Sequence, residues 1–125
     1  LEEEVIKTII GFLNTNTGGT LLIGVEDNGN ILGIDEEVKK FYKNNIDKYK
    51  LYLSGLIKNH ISKDKLNYIE TKLINVNEKL VYQIDCRHTP TPTHNLKTGK
   101  VYIRSDPETI ELKGPDLFNF MKNYK

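Results

Sequence analysis

Apolar positions fall at helical spacing in three stretches of the chain and cluster or alternate between them, the pattern of helices laid against short strands. Val5, Ile6, Ile9, Ile10 and Leu13 form one helical stripe over residues 2–13, with Glu2, Glu3 and Glu4 in a first turn that favours negative charge. Gly11 inside this helix costs roughly 1 kcal/mol relative to Ala, so a close approach to a neighbouring backbone is the expected compensation. Leu21, Leu22, Ile23 and Val25 are apolar on both faces, which predicts a central strand covered on both sides. Asp27-Asn28-Gly29-Asn30 then predicts a hairpin turn joining strand 20–26 to a return strand 31–34.

Asp35, Glu36 and Glu37 look like the N-cap and acidic first turn of a short helix, with Phe41 and Tyr42 packing beneath it. Ile46, Tyr49, Leu53, Leu56, Ile57 and Ile61 predict a longer helix over 46–61, with Lys48, Lys50 and Lys58 off its stripe. Segments 67–74 and 80–87 read as a second hairpin, in which Leu80, Tyr82, Ile84 and Cys86 alternate as the buried face. Pro90 and Pro92 break any ladder across 88–94 and predict an extended surface loop. A strand at 101–104 and a final helix opened by Pro115 and Asp116 follow, with Leu117, Phe120, Met121 and Tyr124 on one stripe. The expected architecture is α+β: a mixed sheet built from hairpins plus a C-terminal strand, flanked by three or four helices, as a single domain over residues 1–125.

Charge changes this picture through its distribution, because the net value of +1 argues for no partner. Residues 1–37 carry eight acids against Lys7, whereas residues 39–65 carry eight lysines against Asp47 and Asp64. An acidic, glycine-bearing segment beside a lysine-rich one suits the handling of a polyanion, and a solvated helix face explains the lysines equally well. The lone cysteine, Cys86, forms no internal disulfide, which fits a reducing, cytoplasmic setting, and no apolar run approaches membrane-spanning length. The first residue, Leu1, is followed at once by helix-like sequence, so a module from inside a longer protein is expected.

Phosphate-loop, dinucleotide and nucleophile-elbow motifs are all absent. Cys86, His88 and His94 lack a fourth partner for a zinc site. The exit of the first helix, Asn14 with Gly18 and Gly19, offers amides that can hold an anion, or forms a plain cap and turn. Tyr102 and Arg104 share a strand face, where a ring and a guanidinium can meet one nucleotide by stacking and phosphate contact. Arg87, Lys97, Lys100 and Lys50 would extend that basic surface; the alternative for Arg104 is an ion pair with Glu108, Glu111 or Asp85.

The stretch from Phe12 to Gly33 resembles the signature of the Schlafen AlbA domain family. Its parts are Phe12 and Asn14, the Gly-Gly-Thr-Leu-Leu-Ile-Gly-Val strand of residues 18–25, the acidic turn 26–29, and Ile31 with Gly33. Tyr102-Ile103-Arg104 and Thr109-Ile110-Glu111-Leu112 match the family's later aromatic-x-Arg and Thr-x-x-Leu segments. The resemblance implies a nucleic-acid-binding module, for DNA or RNA. In the nuclease members it further implies a three-carboxylate site for magnesium or manganese, formed by a Glu-x-x-x-x-Glu-Phe-Lys pair upstream and an aspartate in the acidic turn. Only Asp27 matches that site, as a catalytic and metal-binding residue, and its alternative is simple turn chemistry. An isolated domain is therefore expected to be inactive. A third reading is a dimerisation or small-anion-sensing module; family cores hold two such domains side by side, which implies that a lone copy pairs with itself.

Overall fold

The computed structural model describes residues 2–125. Its order is α1 (Glu2–Leu13), β1 (Gly19–Ile23), α2 (Asp35–Phe41), α3 (Ile46–His60), a 3₁₀ turn (Lys63–Tyr68), β2 (Ile69–Val76), β3 (Lys79–Cys86), β4 (Val101–Ser105), β5 (Glu108–Leu112) and α4 (Gly114–Lys122). The fold is α+β. Its strands divide into two antiparallel sheets, β1-β3-β2 and β4-β5, in place of one mixed sheet. Helix α1 joins the two, packing on β4 and β5 with one side and on β1 and β3 with another.

The core forms where the stripe of α1 meets that of α3 and the inner face of β3. Ile6, Ile9, Ile10 and Leu13 lie in one cluster with Tyr49, Leu53 and Ile57 and with Tyr82, Ile84 and Cys86. Removing this much apolar surface from water supplies the main stabilisation, at about 25 cal/mol per Å². Gly11 has the role its cost implied: a Cβ there would stand 3.3 Å from the Arg104 nitrogen and from the Ile103 carbonyl carbon. Its absence lets α1 rest on the β4 backbone. Burial pushes the Cys86 thiol up to about 12, as for a core residue.

Several expectations are corrected. β1 is an edge strand paired only with β3, and β3 is central, because the hairpin partner of β1 does not form. After the turn at 27–29 only a single bridge, Val25 to Ile31, continues the pairing. The chain is then drawn away as Leu32 and Gly33 both donate to the Gly24 carbonyl and Ile34 donates to Leu80. Asp35 does not cap α2; its carboxylate accepts from the Leu80 amide at 2.9 Å. Phe41 is exposed rather than packed beneath α2, since Ile34 and Val38 already fill that space. The loop 88–94 is extended and reaches the surface at Pro90, Thr91 and His94, but two of its side chains point inward. Thr89 and Thr93 are fully buried, where Thr89 bonds the Leu13 carbonyl and Thr93 bonds Asn14. Residues 108–112 form β5, absent from the elements expected above, and the stripe of α4 is only half-buried, with Met121 exposed.

Candidate nucleic-acid interface

Strand alternation correctly places Tyr102 and Arg104 on one face of β4, and that face is the inner one. Tyr102 is only 4% exposed and packs in the core beneath Lys7, whose ammonium lies 5.8 Å from the ring centre. No face of this ring is open to a base. Arg104 turns back over Phe12, its guanidinium carbon 5.4 Å from the ring centre. Its Nε donates to Asp106 at 2.8 Å and Nη1 donates to Thr109 at 2.9 Å. The ion-pair partner is thus Asp106, because Glu111 faces Lys100 and Lys113, and Asp85 accepts from Thr20 and Gln83. Those last two hydrogen bonds, Gln83 foremost, hold the Asp85 carboxyl below its ordinary value.

The loop after α1 is closed by its own chain. Asn14 is buried, and its amide donates to the carbonyls of Thr93 and Tyr102 at 2.9 and 2.8 Å while its oxygen accepts from the Thr93 amide at 2.7 Å. The backbone amides of Asn14, Thr15 and Gly18 all donate to carbonyls within the helix end and turn. A Cβ on Gly18 would strike the Cys86 carbonyl, and one on Gly19 would strike the Phe12 ring. These glycines admit close packing, and the geometry of this loop is that of a cap and turn rather than an open anion cradle.

Asp27 sits exposed at the tip of its turn. The turn is built by its neighbours: Asn28 accepts from the Asn30 amide at 2.8 Å, and Asn30 donates to the Glu26 carboxylate at 2.8 Å. Among the described residues the Asp27 carboxylate has no hydrogen-bond or ion-pair partner and belongs to no group of three His, Cys, Asp or Glu able to hold a metal. One carboxylate does not fit magnesium or manganese, which take several oxygen ligands. Cys86, His88 and His94 likewise form no cluster; His88 stacks on Tyr124 at 4.9 Å and bonds the Lys125 carbonyl.

The exposed cations lie elsewhere. Of the eight lysines between residues 39 and 65, Lys65 is buried and donates to Thr91, and that burial lowers its pKa. The other seven, Lys39, Lys40, Lys43, Lys48, Lys50, Lys58 and Lys63, are exposed along α2, its link to α3, α3 itself and the 3₁₀ turn. None of them enters an ion pair among the described residues. Of the basic residues singled out in the sequence, Lys50 alone belongs to this set, and it leaves α3 in a different direction from Lys48, two positions before it. Lys97 and Lys100 line a different pocket of about 310 Å³ with Glu2, Glu3 and His60, and Arg87 lies over the Tyr68 ring, donating to the Asn67 carbonyl. The structure does not gather Arg87, Lys97, Lys100 and Arg104 into one patch with Lys50.

Sequence reasoning missed the aromatic side chains among these lysines. Phe41 is 68% exposed and Tyr52 38%, and Lys40 places its ammonium 5.4 Å from the Phe41 ring centre. Tyr42 bridges α2 and α3, its ring 5.2 Å from Tyr49 and 5.8 Å from Tyr52. The alternation Lys-Lys-Phe-Tyr-Lys at 39–43 was the signal that could have found them.

Among solved structures, the chain is similar to the crystal structure of the DIP2311 protein from Corynebacterium diphtheriae, with a TM-score of 0.68 and 17% sequence identity. That likeness covers 98% of this chain and 19% of the other, so the chain spans about a fifth of its length and shares its fold over that part. No curated protein matches the sequence. No helix among the described residues is long and apolar enough to cross a membrane. The family model described as "Schlafen, AlbA_2" matches residues 1–113, spanning the glycine-rich stretch, the buried Asn14 clamp and the β4-β5 hairpin, and the chain belongs to that family.

Proposed function

We propose that this domain binds nucleic acid, DNA or RNA, mainly through phosphates and without sequence readout, as one module of a longer cytoplasmic protein. One observation carries the reading: seven exposed lysines between residues 39 and 63, none of them neutralised by an ion pair among the described residues. A polyanion recovers the Coulomb energy these cations leave unused and releases its condensed counterions. Family membership supports the same reading. The interface is accordingly centred on the exposed lysines of α2, its link to α3 and the start of α3, with Lys40, Lys43, Lys48 and Lys50 as phosphate contacts around that segment, and Arg104 serves the fold.

Titration of labelled DNA and RNA at low salt tests it. Wild-type protein should bind both, and Lys40→Glu with Lys43→Glu together should weaken binding by about tenfold or more, since each removes a cation and adds an anion. Unchanged affinity in that double variant would move the interface off this face.

A further inference from the structure

Resting on that reading, we propose that the α2-α3 face takes single-stranded nucleic acid in preference to duplex, with Phe41 and Tyr52 as surfaces on which unpaired bases stack. Phe41, at the last position of α2, and Tyr52, on α3, keep much of their surface in water. Leu51 beside Tyr52 is 75% exposed. Isolated exposed apolar residues are ordinary, but here Lys40 sets its ammonium 5.4 Å from the Phe41 ring centre, and exposed Lys39, Lys43 and Lys48 follow on α2, its link and α3. Against them stand Asp35, Glu36 and Glu37 at the start of α2, Asp47 on α3, and the Glu2 and Glu37 that line a pocket with Tyr52.

Two physical demands are met together by such a surface. Lysines set between aromatic rings supply phosphate contacts, while the rings offer π-faces to bases of any identity. Duplex DNA hides its base faces inside the stack and can use only the lysines. The occupant that satisfies both the apolar and the cationic parts is a strand whose bases are free. A protein partner would have to bring both acids and apolar groups, and nothing on this face selects for such a pattern over phosphates and bases.

Tyr42 is the piece that makes the arrangement rigid. Its ring packs edge-on to the buried Tyr49 and against Tyr52, so the segment bearing Phe41 is held to α3. A pre-set platform loses less entropy on binding than a mobile one.

The chain has no tryptophan, so Phe41→Trp introduces a sole indole reporter at an exposed position that the fold does not require. Titration with oligothymidine and oligouridine should quench its emission, and a duplex of equal length should not. In parallel, Phe41→Leu keeps an apolar side chain without a ring; it should weaken single-strand binding by about fivefold or more and leave duplex binding unchanged. Tyr52→Leu should act in the same direction. If the leucine variants bind single strands as tightly as wild type, or if single strand and duplex quench the indole alike, the stacking inference is overturned. Should the Lys40→Glu, Lys43→Glu protein still lose affinity in that case, phosphate binding stands without stacking. Absence of binding to every nucleic acid would instead overturn the functional reading itself, and stacking with it.

Discussion

The side-chain amide of Asn14 donates at 2.8 Å to the backbone carbonyl of Tyr102, tying the end of α1 to β4 across 88 positions of the chain. The same amide reaches Thr93, whose own N–H returns to the Asn14 oxygen at 2.7 Å. One buried side chain thus satisfies three backbone groups, on β4 and on the loop 88–94 that no sheet pairs. Asn14→Ala strands all three away from water and should destabilise the fold by about 2–4 kcal/mol. Urea unfolding followed by circular dichroism measures it. Asn14→Asp should also destabilise, because a carboxylate faces two carbonyls it cannot donate to.

Glycine substitutions should separate by position. Gly55 lies inside α3, and a Cβ added there meets no atom within 4 Å, so Gly55→Ala should stabilise by about 0.5–1 kcal/mol through helix propensity. Gly18 has φ +65° and its added Cβ would strike the Cys86 carbonyl, so Gly18→Ala should cost about 2 kcal/mol or more. Thermal melts of the two variants should therefore shift in opposite directions.

Cys86 gives the fold an alkaline sensitivity. Its thiol ionises near 9 when unfolded and is pushed up to about 12 by burial, so the unfolded chain loses the proton first as pH rises. Its stabilising contribution is complete below pH 9 and falls between 9 and 12. Lys65, with its cation disfavoured by burial, acts in the opposite sense over part of that range. Cys86→Ala isolates the thiol: its alkaline unfolding profile should fall less steeply than wild type. In the native protein near neutral pH, Cys86 should resist thiol reagents on a timescale set by unfolding.

Asp27 and Asn28 are neighbours with different duties. Asn28 accepts from the Asn30 amide, and Asn28→Ala should cost about 0.5–1 kcal/mol. Asp27→Asn removes a charge with no structural partner among the described residues and should leave stability within about 0.5 kcal/mol of wild type. A larger loss on Asp27→Asn, read by urea unfolding, would give its carboxylate a role in the turn.

What the sequence made legible was local. The stripe of α1, the second hairpin and the price of Gly11 are set by residues within a few positions of one another or by a single close approach. Edge and centre were not: the apolar run of β1 looks covered on both sides, yet its pairing is chosen by the distant β3, and Leu22 ends partly in water. Alternation put Tyr102 beside Arg104 but carried no information on which face of β4 meets α1, so a core tyrosine looked like a stacking platform. The exposed ring at Phe41 was hidden for the converse reason. Hydrophobic character alone assigned it inward, whereas Ile34 and Val38 had already filled the space under α2.

The salt dependence of nucleic-acid binding tests the lysine face most directly. Each phosphate neutralised contributes roughly −0.7 to −0.9 to the slope of log affinity against log salt, so four lysines in contact give a slope of about −3. Wild-type protein should show that slope with DNA or RNA, and the variant carrying Lys40→Glu and Lys43→Glu should bind weakly with a slope of about −1 to −2 by the same rule. Affinity indifferent to salt, or no binding to either nucleic acid at low salt, would contradict a phosphate-binding role for this domain.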